Sequence, residues 1–172
     1  MITVLGFRDV WSLQAFCMRE RERLARGGAL TGSLMIIDLD QAGGYEHPEY
    51  TGGKGWAPLR ITINYAKSIA AKLSLEMVRA EIEAIDAHSG TSWQENEHVQ
   101  VRIGIRCNPA AWICWPPQTF SIQPGQIVLV PAGWQSVVNC GEQQAITLVL
   151  SLRMKDSERT RGAVADPAQN GV

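Results

Sequence analysis

At 172 residues, 45% apolar and 19% charged with a formal net charge of −1, the chain is long enough to bury a substantial core in one globular domain. Acidic residues balance basic ones even in the densest charged run, Arg19 to Arg26, which excludes the broad basic footprint that nucleic acid requires. No apolar run approaches the roughly 20 residues of a membrane span and no basic-then-apolar leader opens the chain, so the expectation is a cytoplasmic protein with neither nucleic-acid nor membrane partners.

After a short apolar start at residues 2–7, Asp9 is placed to cap a helix whose apolar positions Val10, Leu13, Cys17 and Leu24 recur at helical spacing, with Gly27 and Gly28 as its stop. Residues 33–40, SLMIIDLD, read as a buried strand. The Gly- and Pro-rich stretch 41–58 reads as a long loop, a setting in which function is often found, and His47 before Pro48 suits its surface or a lid. Arg60 to Tyr65 alternates apolar and polar residues with the period of a half-buried strand. Leu75, Val78, Ile82 and Ile85 make a helical stripe with Ser74 as its cap and His88 near its C-terminal end, where the helix dipole favours an imidazolium.

From His98 onward the pattern changes to six short segments, residues 99–107, 111–115, 119–122, 126–131, 135–139 and 145–152, separated by Pro, Gly or Asn. Such spacing suggests a small barrel or sandwich. The polar stretch from residue 156 to 172 is expected to be a disordered tail behind a single domain of residues 1–155. Cys17, Cys107, Cys114 and Cys140 include no Cys-x-x-Cys pair and read as reduced thiols rather than as a zinc site or a disulfide framework.

One stretch carries a recognisable motif. In residues 120–152 Gly125 permits a tight turn into an apolar strand, while Pro131 and Gly133 end that strand and bend the chain. This spacing resembles the second motif of the cupin superfamily, and is most similar to the double-stranded β-helix of JmjC-like oxygenases. The resemblance implies a mainly β (β-rich α+β) jelly roll with flanking N-terminal and central helices. It also implies that the position of the distal metal histidine is taken by Ser136, pointing inward, with the motif's terminal Asn displaced to Asn139. Upstream, His88-Ser89-Gly90 followed by an Arg-containing strand is similar to aspartyl/asparaginyl β-hydroxylases, which pair a histidine with a non-ligating glycine. A rival alignment puts His98 and Gln100 at that first-half position. The strand after the motif, where the family carries a cation for 2-oxoglutarate, contains none before Arg153.

Iron of this kind needs two histidines, usually with a carboxylate, on one face of the metal. The chain has three histidines, and His88 and His98 are the candidate ligands. The alternative to a metal is a pocket walled by Trp112 and Trp134 in which Arg102, Arg106, Gln135 and Ser136 orient a ligand. Arg102 and Arg106 share strand parity, so both are expected to face the interior together. A buried arginine there needs a partner, either an anionic ligand or an Asp or Glu from the long loop. Three readings follow. The first is a cupin-like protein with a degenerate metal site that binds a small polar or anionic molecule. The second is an Fe(II)- and 2-oxoglutarate-dependent hydroxylase with an atypical ligand set. The third is a structural or assembly protein whose barrel edge pairs with a second copy as a homodimer. Whether the chain is an enzyme stays open at this level.

Overall fold

The computed structural model of the chain describes residues 1–20 and 31–155. The expected helix stop at Gly27 and Gly28, the position of Leu24 and the tail from residue 156 lie outside the described residues. Among the described residues, twelve strands form two antiparallel sheets. The larger has the order β1 (Thr3–Phe7), β10 (Gln126–Val130), β7 (Val99–Arg106), β12 (Ala145–Met154), β4 (Leu75–Ile85), β2 (Thr31–Asp38) and β3 (Tyr45–Glu46). The smaller has the order β5 (Ser89–Gly90), β11 (Gly133–Asn139), β8 (Ala111–Trp115) and β9 (Gln118–Phe120), with β6 (Gln94–Asn96) also paired to β11. The smaller sheet lies over the inner face of the larger one, and their strands make the expected jelly roll. No helix among the described residues is long and apolar enough to cross a membrane.

Helices cover the outer face of the larger sheet. Helix α1 (Trp11–Arg19) starts where the Asp9 carboxylate accepts a hydrogen bond from the Trp11 backbone N–H at 2.9 Å. The long loop is not structureless: it holds β3, a one-turn helix α2 (Pro48–Gly52) and a 3₁₀ turn, Lys54–Trp56. His47 caps α2 through Nδ1, which accepts from the Glu49 N–H at 3.2 Å, and its ring stacks on Trp56 at 4.5 Å between centroids. That anchoring gives His47 a local structural task.

The central part of the chain exchanges the two assignments read from its periodicity. Residues 60–65 are helical, inside α3 (Ala57–Lys72), and residues 75–85 are strand β4. In α3 the β-branched residues disfavour a helix by a few tenths of a kcal/mol each. Against that, Leu59, Ile63, Ala66 and Ala70 fall on one face and are fully buried, while Ile61 and Tyr65 remain exposed. In β4 the charged Glu76, Arg79, Glu81 and Glu83 are half-buried, and Ala80, Ile82 and Ala84 between them are sealed against the helices. The segment's Ala, Glu and Met favour a helix, but full pairing with β12 on one side and β2 on the other outweighs propensity. Ser74 is accordingly not a cap; it takes the left-handed conformation, φ 57°, that turns the chain from α3 into β4.

The main apolar core therefore lies outside the jelly roll. Leu13, Phe16, Leu59 and Ile63 of the helices meet Ile82, Ile103 and Leu148 of the sheet. Side chains such as these contribute roughly 1.5–3 kcal/mol each on burial. A smaller cluster, Ile2, Ile113, Ile122, Val128 and Val130, fills one part of the space between the sheets.

Candidate functional site

Strand register fixes which side chains face that inter-sheet space, because neighbouring partners in a sheet share a face. Val128 and Val130 belong to the inter-sheet cluster and pair with Arg102 and Gln100 of β7. The same face continues through Thr147, Val149 and Ser151 of β12 to Glu83, Glu81 and Arg79 of β4. It ends on β2 at Ser33 and Asp38. Most of this inner face is polar, whereas the outer face of the same strands is apolar.

The polar groups are largely bonded to one another. Gln100 donates through Nε2 to the Asn96 amide oxygen at 3.1 Å and accepts through Oε1 from Arg102 Nε at 2.9 Å. Arg102 Nη1 donates to the Glu83 carboxylate, which also accepts from the Thr147 hydroxyl at 3.4 Å. The Arg102 side chain is 4% exposed and Glu83 18%, so the guanidinium has its counter-ion inside the protein. Its partner comes from β4 and not from the long loop. Arg79 pairs with Asp38 at 3.1 Å, and Glu81 accepts a short hydrogen bond from the Ser33 hydroxyl.

Arg106 does not share this site. The β7–β12 register slips by one residue between Gly104 and Arg106, so the bulge at Ile105 turns Arg106 to the helical side, where it contacts Met18 and Gln143. Simple parity fails here because one extra residue inverts it. Gly104 sits in that bulge because a Cβ would strike the Gln123 carbonyl.

On the smaller sheet the inward residues are Gln135, Val137 and Asn139. Val137 pairs with the buried Ile113, and Trp134 and Val138 alternate to the opposite face. Ser136 is therefore on the outer side, not inward; its hydroxyl donates to the Thr91 carbonyl at 2.8 Å. Trp134, 54% exposed, lies on that outer face as well; Trp112, 40% exposed, also borders the small cavity between Val137, Ile85 and Thr147. The bend at Gly133, φ 124°, sets this parity one residue away from that expected from the motif. Asn139 is fully buried: its Nδ2 donates to the Ile85, Asp86 and Gln143 carbonyls, and its Oδ1 accepts from Gly141 and Asn108. It ties β4, β11 and the turn after it together.

Gln135 is the inward residue next to the bend. It stands directly across from Gln94 of β6, and Asn96 stands across from Gly133. Three amides, Gln94, Asn96 and Gln135, thus share the face where the resemblance calls for histidines and a carboxylate. Gln135 is 4% exposed and its amide oxygen has no hydrogen-bond partner. Neutral amide oxygens are weak donors to a divalent iron, and the imidazoles are elsewhere. His88, φ 56° in the turn after β4, is exposed beside Glu142 at 3.3 Å. His98 Nε2 meets Asp40 at 3.0 Å, and Arg153 takes the other Asp40 oxygen at 3.3 Å. No three His, Cys, Asp or Glu side chains among the described residues are grouped to hold a metal ion. The donor set does not fit Fe(II).

The cysteines offer no nucleophile at this site. Burial pushes the Cys17 and Cys107 thiols up to about 12, with the Glu20 charge adding to the effect at Cys17. Burial also raises Cys114, and Cys140 is exposed on the surface.

The sequence matches no protein-family model and no curated protein. Solved structures do resemble the fold. A prolyl hydroxylase from Trichoplax adhaerens, in complex with a hypoxia inducible factor oxygen degradation domain peptide, superposes with a TM-score of 0.60 at 9% identity, over 96% of this chain and 87% of its own. An oxidoreductase of the 2OG-Fe(II) oxygenase family from Burkholderia pseudomallei gives 0.48 at 12% identity over 78% and 77%, and a cupin domain from Bordetella pertussis 0.40 at 14% over 44% and 80%. The fold is a double-stranded β-helix, shared with the prolyl hydroxylase. Within that class, this chain presents amides to the space between the sheets.

Proposed function

We propose that the protein binds a small polar molecule between its two sheets and does so without a catalytic metal. The observation that carries this reading is the Gln135 amide oxygen, buried and unpartnered in an interior where its neighbours are hydrogen-bonded. A buried polar atom left unsatisfied costs about 1–3 kcal/mol, and a ligand that reaches it recovers that cost. Of the polar residues that share this face, Gln94 is exposed and Glu81 half-buried.

The hydroxylase reading would need a ligand set built from His88 or His98. Their carboxylate partners, Glu142 for His88 and Asp40 for His98, speak against it. The assembly reading has no observation in its favour beyond the open edges of the sheets.

Two measurements test the proposal. Protein soaked with Fe(II) is expected to retain far less than one equivalent and to leave 2-oxoglutarate unconsumed; stoichiometric iron lost on His88→Ala or His98→Ala would instead establish the hydroxylase. A thermal-shift screen of small polar metabolites is expected to give hits, since ligand at about one hundred times its dissociation constant stabilises by roughly 2.7 kcal/mol. A flat screen would leave the structural role standing.

A further inference from the structure

Resting on the binding reading above, we infer that the molecule held between the sheets is a small organic cation bearing N–H donors, such as a primary ammonium or guanidinium group, recognised by Gln135 and Glu81. The level of Gln135 within the jelly roll follows from its neighbours. Val137, two residues along β11, lines a small cavity together with Ile85 and Thr147. Gly133, two residues the other way, stands across from Asn96, which is bonded to Gln100. Gln135 therefore lies between the Thr147 and Gln100 levels of the opposite sheet. That is the level of Arg102, Val149 and Glu81, which pair side by side.

The acceptors at this level outnumber the donors. Arg102 is committed to Gln100 and Glu83, and Arg79 to Asp38. Three inward carboxylates, Asp38, Glu81 and Glu83, face two guanidinium groups, which leaves one negative charge. Among the described residues the inward carboxylate without a cation is Glu81, half-buried and bonded to the neutral hydroxyl of the exposed Ser33. A second surplus acceptor is the Gln135 amide oxygen. The other buried unpartnered side-chain atom among the described residues, Gln144 Oε1, belongs to an amide anchored to Asp86 at 2.7 Å at the far end of the barrel. A ligand with N–H donors and a positive charge satisfies both surplus acceptors. A carboxylate ligand would meet Glu81 as a like charge and find Arg102 already neutralised.

Butylammonium, butyramide and butyrate share one skeleton and differ in charge and donors at the head group, so they separate the alternatives. Ligand-observed NMR on the full chain is expected to rank butylammonium first, at least tenfold tighter than butyrate. Glu81→Gln, which keeps a partner for Ser33, is expected to lower butylammonium affinity to that of butyramide. Gln135→Leu is expected to abolish binding while raising the melting temperature of the free protein, because it removes an unsatisfied buried acceptor. Preference for butyrate or butyramide in the wild type would overturn the inference and leave the binding reading intact. A butylammonium affinity unchanged in folded Gln135→Leu or Glu81→Gln would also overturn it. Absence of binding by all three head groups, together with a flat metabolite screen, would remove the binding reading itself.

Discussion

Removing Glu83 is the sharpest way to probe the interior, because it strands a charge. Glu83→Ala deletes the carboxylate that neutralises Arg102 while leaving the guanidinium, 4% exposed, on the inner face of β7. Breaking a buried pair from one side typically costs 3–5 kcal/mol. Glu83 keeps 18% of its side-chain surface, so some water reaches the pair and the lower end, about 3 kcal/mol, is expected. For a chain of this length about 3 kcal/mol corresponds to a fall in melting temperature of roughly 6–12 °C. The double variant Arg102→Met/Glu83→Leu removes both charges and fills similar volume. It should recover most of the loss, less about 1 kcal/mol for the Gln100 oxygen that no longer has its donor. Urea denaturation of Glu83→Leu, Arg102→Met and the double variant, with unchanged m-values, measures the coupling. A single-variant cost below about 1 kcal/mol, or additivity across the cycle, would refute the view that Arg102 is held by the chain's own carboxylate.

Further outcomes follow from the scaffold. Gly125→Ala should cost roughly 2–4 kcal/mol in urea denaturation, since Gly125 has φ 80° and a Cβ there meets the Arg8 carbonyl. Asn139→Ala should cost about 2–4 kcal/mol by the same assay, because it frees several buried carbonyls at once. An aromatic disulfide reagent at pH 8 should label Cys140 fast and leave Cys17 and Cys107 unreacted until the protein unfolds. The same thiols give stability a sign against pH: the unfolded chain ionises them from about pH 9, the folded chain only near 12, so stability is full below 9 and falls between 9 and 12. Hydrogen exchange or denaturation across that window measures the fall.

What could be read from residues alone depended on whether a pattern was local. The strands of the second half follow from turn residues and alternation that neighbouring chain segments do not alter, and they fall within a residue or two of expectation. Residues 60–65 and 75–85 each satisfy both a helical and a two-residue period, and the choice between them is made by distant partners: α1 and the sheet for the first, β12 and β2 for the second. Glu81 and Glu83, alternating with Ile82 and Ala84, carried the only local hint that residues 75–85 form a strand with one polar face. The site was harder to read because single-residue shifts invert it. The bend at Gly133 makes Gln135 inward in place of Ser136, and the bulge at Ile105 separates Arg106 from Arg102. Once the inward set contains Gln135, the short strand across from it supplies Gln94 and Asn96, which no motif marks.

Placing the principal apolar layer between helices and the outer face of the larger sheet has a consequence for how this molecule can change. Folding is underwritten on one side of strands β7, β12 and β4, and polar side chains line the other. Alternate positions along a single strand thus answer to different demands, Ile103 to the apolar layer and Arg102 to the polar network between the sheets. Substitutions confined to the inner parity can alter the polar interior with little drift of the backbone, provided each charge pair is exchanged as a unit. A library varied at inward positions alone would therefore yield mostly folded proteins, whereas the same number of changes at the intervening positions would yield mostly aggregates.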